Sequence, residues 1–281
     1  FKGKLHSRTL ESLIKEVNIL VKKGFKDFSF VSQDSSSYLR DLGHNDGLEQ
    51  LIDAVEKIDG VKTARILYLY PSTTTHNLID KIADSKVFVN YFDMPLQHIS
   101  QNMLKIMKRG KGAEKLIELM NYMKSKPNSF VRTTFIAGHP GESKDDFEEL
   151  CSFVEEFGFD RGNVFSYSDE EGTSAETRDD KIEQELIDER AEILGDIISQ
   201  TTIKSLENDI GKSFEVYVDG ESEEHEYLLS ARKTIWAPQI DGEIYINDNE
   251  DNIPIVFGEI YEVEATQLAG DKLLAKIIRK V

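Results

Sequence analysis

The sequence predicts an α/β fold: a parallel sheet of repeated βα units covered by helices, followed by a small antiparallel β-barrel of about five strands. Three observations predict it. Helical apolar stripes alternate with short β-branched or aromatic runs through residue 207. Those runs are continuously apolar, as strands buried on both faces must be. From about residue 211 the pattern changes to period two, punctuated by Gly, Asp and Asn. Periodicity alone leaves open whether the parallel sheet stays open or curls into a partial barrel.

The elements follow in order. Leu10, Leu13, Ile14, Val17 and Val21 form a helical stripe that stops at Gly24, and residues 27–34 read as a buried strand with a polar end. Leu48, Leu51, Ile52, Val55 and Ile58 make the next helix, and residues 61–70 the next strand, stopped by Pro71. The unit recurs as a helix over 75–83, a strand over 86–93, helices over 100–107 and 113–124, and a strand over 130–137. Ser143 and Asp146 have the spacing of a capping box, opening a helix with the stripe Phe147, Leu150, Cys151, Val154 and Phe157. A strand over 163–167 precedes a long helix over 181–206. The segments FEVYVDG, EYLLSAR, GEIYIND and EIYEVEATQLAGDKLLAKIIRKV then supply the barrel strands. Two domains are expected, 1–207 and 208–281.

Composition narrows the function. The 281 residues carry 34 Lys+Arg against 52 Asp+Glu, a net charge of −18. Such acidity repels phosphate backbones and favours cationic partners, while also serving solubility. No stretch approaches the 18 or so consecutive apolar residues of a membrane span. The single cysteine, Cys151, excludes a disulfide framework and any cysteine-built metal site within the chain, and its apolar stripe places it in the core. A cytoplasmic, monomeric protein is expected. The chain opens on FKGKLHSR without an initiator Met or signal-peptide pattern and reads as a piece of something longer.

In a parallel α/β architecture the ligand site lies beyond the carboxyl ends of the strands. Those ends are polar here: Ser32-Gln33-Asp34, Tyr70-Pro71-Ser72, Asp93 through His98, Gly138 through Glu142, and Ser166 through Gly172. Arg65 and Arg132 sit inside apolar strands, where each guanidinium needs a carboxylate or a ligand. Each feature alone has a structural reading, turn chemistry or a buried ion pair; five polar edges in succession point to a shared site. The chain contains no GxGxxG after a strand, no GxxxxGK[ST] and no HExxH. The glycines of AGHPGES give a tight strand-to-helix turn whose amides can approach a ligand.

Taken together, FKGKLHSR, LVKKGFKDFSFVSQD, ARILYLYP, YFDMPLQHIS, LKIMKRG, RTTFIAGHPGES, FSYSDEEGTSAET and APQIDGEIYI resemble, in order and across essentially the whole chain, the radical S-adenosylmethionine methylthiotransferases. Within them the match is to the RimO type, which methylthiolates an aspartate of ribosomal protein S12. The MiaB type, which modifies adenosine in tRNA, differs at YFDMPLQHIS and typically lacks the acidic pair of SYSDEEGT. The resemblance implies a partial, TIM-like βα barrel of the radical SAM type followed by a TRAM barrel. It also implies an N-terminal domain and a CxxxCxxC cluster loop upstream of Phe1. It departs from the family at His139, where an aromatic residue is usual, and at Gln239, where an acid is usual.

The chemistry so implied uses S-adenosylmethionine and two 4Fe-4S clusters, neither ligated by this chain. The reduced cluster generates a 5′-deoxyadenosyl radical that takes hydrogen from the aspartate β-carbon, and the second cluster and a second S-adenosylmethionine supply sulfur and methyl. The expected cofactor-binding residues are Gln33, Asp34, Arg65, Gln97, His98, Arg132 and Gly138. Arg132 is assigned by location to the methionine carboxylate, Gln33 and Asp34 to the amino group or ribose hydroxyls, and Gln97 and His98 to the ribose or adenine side. No residue is assigned a catalytic role, and no metal ligand lies in the chain. From residue 211 onward 7 Lys+Arg face 15 Asp+Glu, a net −8, against 27 and 37, a net −10, in the first 210 residues. A single-stranded RNA site wants a basic groove with stacking aromatics. The acidic barrel therefore favours the basic ribosomal protein S12 as partner over nucleic acid. A tRNA adenosine methylthiotransferase and a noncatalytic acidic docking module are the alternatives.

Overall fold

A computed structural model of the chain describes residues 3–110, 112–249 and 252–281. Phe1 and Lys2, which open the FKGK segment, lie outside the described residues. The chain forms two compact units, which divide between Ile198 and Ser199.

Among the described residues of the first unit, five strands pair in parallel in the order β1 (Asp27–Phe30), β2 (Thr63–Ile66), β3 (Phe88–Asp93), β4 (Phe130–Ala137) and β5 (Arg161–Ser166). Spatial order equals chain order, so every crossover repeats the same step, and right-handed crossovers place their helices on one face. The result is a half-barrel of parallel strands. Its helices are α1 (Leu10–Lys22), α2 (Gly47–Val55), α3 (His76–Ala83), α4 (Gln101–Ile106), α5 (Ala113–Lys124) and α6 (Lys144–Phe157), with α7 (Gln184–Glu207) beginning in this unit. The predicted stripes pack against the sheet: Leu48, Leu51, Ile52 and Val55 of α2 and Leu150 and Val154 of α6 are buried in one core with Phe92, Val131 and Phe135 of the strands. Helix starts are fixed as their side chains dictate. The Thr9, Thr75 and Ser100 hydroxyls accept from the third amide onward, and Ser143 and Asp146 close the expected capping box.

Two strands are shorter than their apolar runs. β1 ends at Phe30 because the chain turns into a single 3₁₀ turn, Ser35–Ser37, whose Ser36 and Ser37 hydroxyls donate to Asp34 at 2.8 and 2.5 Å. β2 ends at Ile66, although Leu67 N–H still donates to the Phe30 carbonyl and Leu69 N–H to that of Asp93. Between them Tyr68 takes φ 59°, which breaks the ladder.

In the second unit β6 (Ser213–Glu221), β7 (Leu229–Lys233), β8 (Ile244–Asp248), β9 (Ile260–Ala269) and β10 (Lys272–Lys280) close a barrel in the order β10-β8-β7-β6-β9. Neighbours are antiparallel except β8 with β10, the parallel pair through which the ring closes. Alternate residues point inward: Val216, Val218, Val263, Ala265, Leu273 and Ala275 are fully buried.

Candidate functional site

The carboxyl ends of the half-barrel strands surround a cleft with two contiguous lobes. The first, about 470 Å³, is bounded by Gln33 and Asp34 after β1, Tyr68 and Tyr70 after β2, Gln97 after β3 and Arg132 on β4. The second, about 620 Å³, extends past Ile106, Ile136, His139, Tyr167 and Glu170. Tyr70, Gln97, Arg109, Thr134 and Phe165 line both. Each lobe falls in the volume range of small-molecule sites, about 300–1,000 Å³.

The floor of the first lobe is a buried polar set. Asp93, the last residue of β3, is fully buried and accepts from Arg132 Nη1 at 3.2 Å and from Tyr68 N–H at 3.1 Å. Asn163 of β5, with its amide oriented to satisfy both neighbours, accepts from Arg132 Nη2 at 2.9 Å and donates to the Gly162 carbonyl. Arg132 is thus held from both sides while still facing the cleft. Asp93 also stabilises the left-handed Tyr68. Gln97 is left-handed as well (φ 70°), pinned by N–H donation to Thr134 O and by acceptance from Ile136 N–H, both at 2.9 Å. A non-glycine residue in this region costs about 1–3 kcal/mol. Two of them facing one cleft place their side chains where an extended backbone would not.

Behind the second lobe lies a separate buried network. The Glu142 carboxylate accepts from Arg190 Nη1 at 2.7 Å and from Gly138 N–H at 3.1 Å, and His98 Nε2 stands 3.5 Å from it. His98 Nδ1 accepts from Ser100 N–H at 3.0 Å, which leaves Nε2 as the nitrogen that carries the ring proton, facing Glu142. Ser100 Oγ donates to Asp146 at 2.5 Å. Burial opposes ionisation of Asp146, but hydrogen bonds from Ser100, Ser143 and Asn102 outweigh it and hold the carboxyl at about 2.

His139 is nine-tenths buried, edge-on to Tyr167 with ring centroids 5.0 Å apart, and its Nδ1 lies 2.9 Å from the Pro140 carbonyl, to which it donates. Burial lowers its pKa below 6.5, so the ring is neutral at pH 7 and Nε2 carries a lone pair. Burial, with the Asp169 carboxylate accepting from its hydroxyl, pushes the Tyr167 phenol up to about 12.

Of the seven residues expected from sequence, the structure brings Gln33, Asp34, Gln97 and Arg132 together around the first lobe. Arg65, His98 and Gly138 stand outside its lining. Arg65 is fully buried, forked onto Asp27 at 2.7 and 3.1 Å and donating to Ser29 Oγ at 3.0 Å, because it reaches back toward the start of β1 rather than forward to the strand ends. His98 turns inward to Glu142. Gly138 (φ 79°) spends its N–H on Glu142, and a Cβ there would stand 2.5 Å from Ile187 Cγ1, so the backbone here packs too closely on α7 to carry a side chain. Asp34 also serves the Ser35–Ser37 turn. Cys151 is half-buried on α6, at the edge of the core and not inside it as its stripe predicted, and burial raises its thiol to about 11, far from thiolate reactivity at neutral pH. Sequence reasoning missed Tyr68, Arg109, Asn163 and Phe165. Of these, only Tyr68 had a signal, its place before the Tyr70-Pro71 strand stop.

Residues 1–154 match the Radical SAM superfamily and residues 210–278 the TRAM domain. The chain is 77% identical over 281 residues to the ribosomal protein uS12 methylthiotransferase RimO of Aliarcobacter butzleri, covering 99% of this chain and 63% of that protein. It is 60% identical over 280 residues to the protein of the same name from Sulfurovum sp., covering 100% of this chain and again 63% of the other. The chain therefore spans just under two thirds of the length of these relatives. Methylornithine synthase (PylB) has the same fold over 72% of this chain and 56% of its own, with a TM-score of 0.50 and 13% identity.

Proposed function

The chain belongs to the radical SAM superfamily, and on that premise we propose that it is the half-barrel and TRAM part of a methylthiotransferase that modifies an aspartate of ribosomal protein S12. The observation that carries this reading is continuous identity to proteins of that name through both units, 77% over the full chain. The net −8 from residue 211 onward suits a basic ribosomal protein better than tRNA.

The first lobe fits S-adenosylmethionine by volume and donor set. Tyr68, Tyr70 and Phe165 offer flat apolar faces beside the amides of Gln33 and Gln97 and the Arg132 guanidinium. When bound there, this cofactor supplies the radical that takes a hydrogen atom from an unactivated carbon and, from a second molecule, the methyl group. Arg132, held by Asp93 and Asn163, presents its charge without having to reorganise. Gln97 and Tyr68, fixed in left-handed conformations, set the walls. The iron–sulfur clusters do not fit this chain: its one cysteine is Cys151, and among the described residues no group of three His, Cys, Asp or Glu converges on a metal-sized site. Their ligands belong outside the 281 residues, and a cytoplasmic location follows from the ribosomal substrate.

The test is incubation of the reconstituted full-length protein with S12 and, separately, with tRNA. A methylthio mass increase on S12 and none on tRNA is expected; the reverse result would replace this reading with the adenosine-modifying one.

A further inference from the structure

Arg109 lines both lobes of the cleft and is the guanidinium there that the protein leaves uncommitted. Its backbone is fixed just past α4: its N–H donates to Leu104 O at 2.8 Å, and Lys108 before it and Gly110 after it take φ 56° and 67°. Its guanidinium lies over the Tyr70 ring, 5.3 Å from the centroid. Among the described residues no carboxylate comes within salt-bridge distance of it. Three arginines of the neighbouring elements are each paired with a carboxylate, Arg132 with Asp93, Arg190 with Glu142 and Arg178 with Asp180. A guanidinium backed by an aromatic face, in a walled cleft with its donors open, is complementary to a planar anion taken bidentately.

We propose that Arg109 binds the side-chain carboxylate of the target aspartate and so selects the β-carbon that reacts. The inference rests on the reading above that an aspartate of S12 is the substrate. An aspartate side chain has one functional group, and it is bonded directly to the reacting carbon. A fork on that carboxylate fixes the β-carbon with no freedom but rotation about one bond. Arg109 stands where the lobe suited to the cofactor meets the lobe lined by His139, Tyr167 and Glu170. That junction is the place at which a side chain entering from the second lobe meets a ligand in the first. The same charge discriminates: asparagine has the shape of aspartate but leaves the guanidinium uncompensated, and a nucleobase has no carboxylate to offer. The rival source of a carboxylate is the methionine part of the cofactor.

The experiment uses the reconstituted full-length protein as wild type, Arg109→Gln and Arg109→Lys. The probes are S-adenosylmethionine and two short S12 peptides, one with the target aspartate and one with asparagine in its place, titrated by calorimetry and fluorescence anisotropy. Wild type should bind the aspartate peptide at least tenfold tighter than the asparagine peptide. Arg109→Gln should bind both at the weaker level, with S-adenosylmethionine affinity within twofold of wild type and an unchanged thermal midpoint. Arg109→Lys should recover part of the preference. Retained tenfold discrimination in Arg109→Gln, or loss of S-adenosylmethionine affinity in its place, overturns the assignment, the second outcome giving the guanidinium to the methionine carboxylate. A wild-type protein that leaves S12 unmodified overturns the functional reading itself, and the Arg109 assignment falls with it.

Discussion

The half-barrel and the closed barrel manage their polar groups in opposite ways. In the closed barrel every strand has two partners, side chains alternate, and ion pairs keep at least one exposed or part-exposed member: Arg279 with Glu262, Lys272 with Glu224 and Glu243, and the buried Arg232 with the exposed Asp219. In the half-barrel β2 is buried along its whole length and most of β4 is buried too, and alongside exposed pairs such as Arg178 with Asp180 there are three buried ones, Arg65 with Asp27, Arg132 with Asp93 and Arg190 with Glu142. Surface pairs are cheap to lose and contribute little. Buried pairs cost desolvation and are lost only at a high penalty, so they hold loops in one arrangement. The comparison teaches where each unit can bind: the closed barrel offers charge, and the half-barrel offers a preorganised cleft.

The largest expected effect comes from breaking a buried network. Glu142→Ala strands Arg190 and the Gly138 amide in the interior and should lower unfolding stability by about 3–5 kcal/mol in urea titrations. Glu224→Ala, which removes an exposed carboxylate from a Lys272 that keeps Glu243, should move the urea midpoint far less. Equal shifts in the two variants would erase the distinction between the units.

A smaller effect separates Asp146 from ordinary surface acids. Its folded pKa of about 2 lies below its ordinary 3.8, so its contribution is fully present above about pH 4 and is lost as pH falls toward 2. Asp146→Asn should cost about 1 kcal/mol at pH 7, typical of a lost helix cap. The difference from wild type should shrink below pH 3.8, as followed by circular dichroism.

The smallest concerns His139. Its folded pKa is depressed, so below pH 6.5 the unfolded chain takes up a proton that the folded ring refuses, and wild-type stability falls. His139→Phe removes this dependence. The thermal midpoint of the variant relative to wild type should therefore rise between pH 7.5 and 5.5; a constant difference would mean that the ring is not held neutral.

Much of this architecture was legible in the sequence, because helices with one apolar face and continuous apolar strands admit few arrangements. The capping box at Ser143 and the α5 span from Ala113 to Lys124 are local and were read directly. The site was half legible. Arg65 and Arg132 look alike in sequence, each inside an apolar strand, and what separates them is register. The acid beside Arg65 is Asp27, at the start of the neighbouring strand, and the acid beside Arg132 is Asp93, at the end of its neighbour. Only the second arrangement faces a guanidinium toward the cleft. Arg109 was missed because it follows a helix and not a strand, and Tyr68 because a left-handed tyrosine is decided by the carboxylate of Asp93, 25 residues away. The pairing of β8 with β10 was equally invisible, since alternation fixes faces and not strand neighbours.

The most direct test of the central claim is amide hydrogen exchange on the reconstituted full-length protein with and without S-adenosylmethionine. The cleft account predicts slowed exchange in residues 67–72, 94–98 and 132–136, and no change in β6 through β10. Protection confined to the closed barrel, or absent from all three strand-end segments, would contradict it.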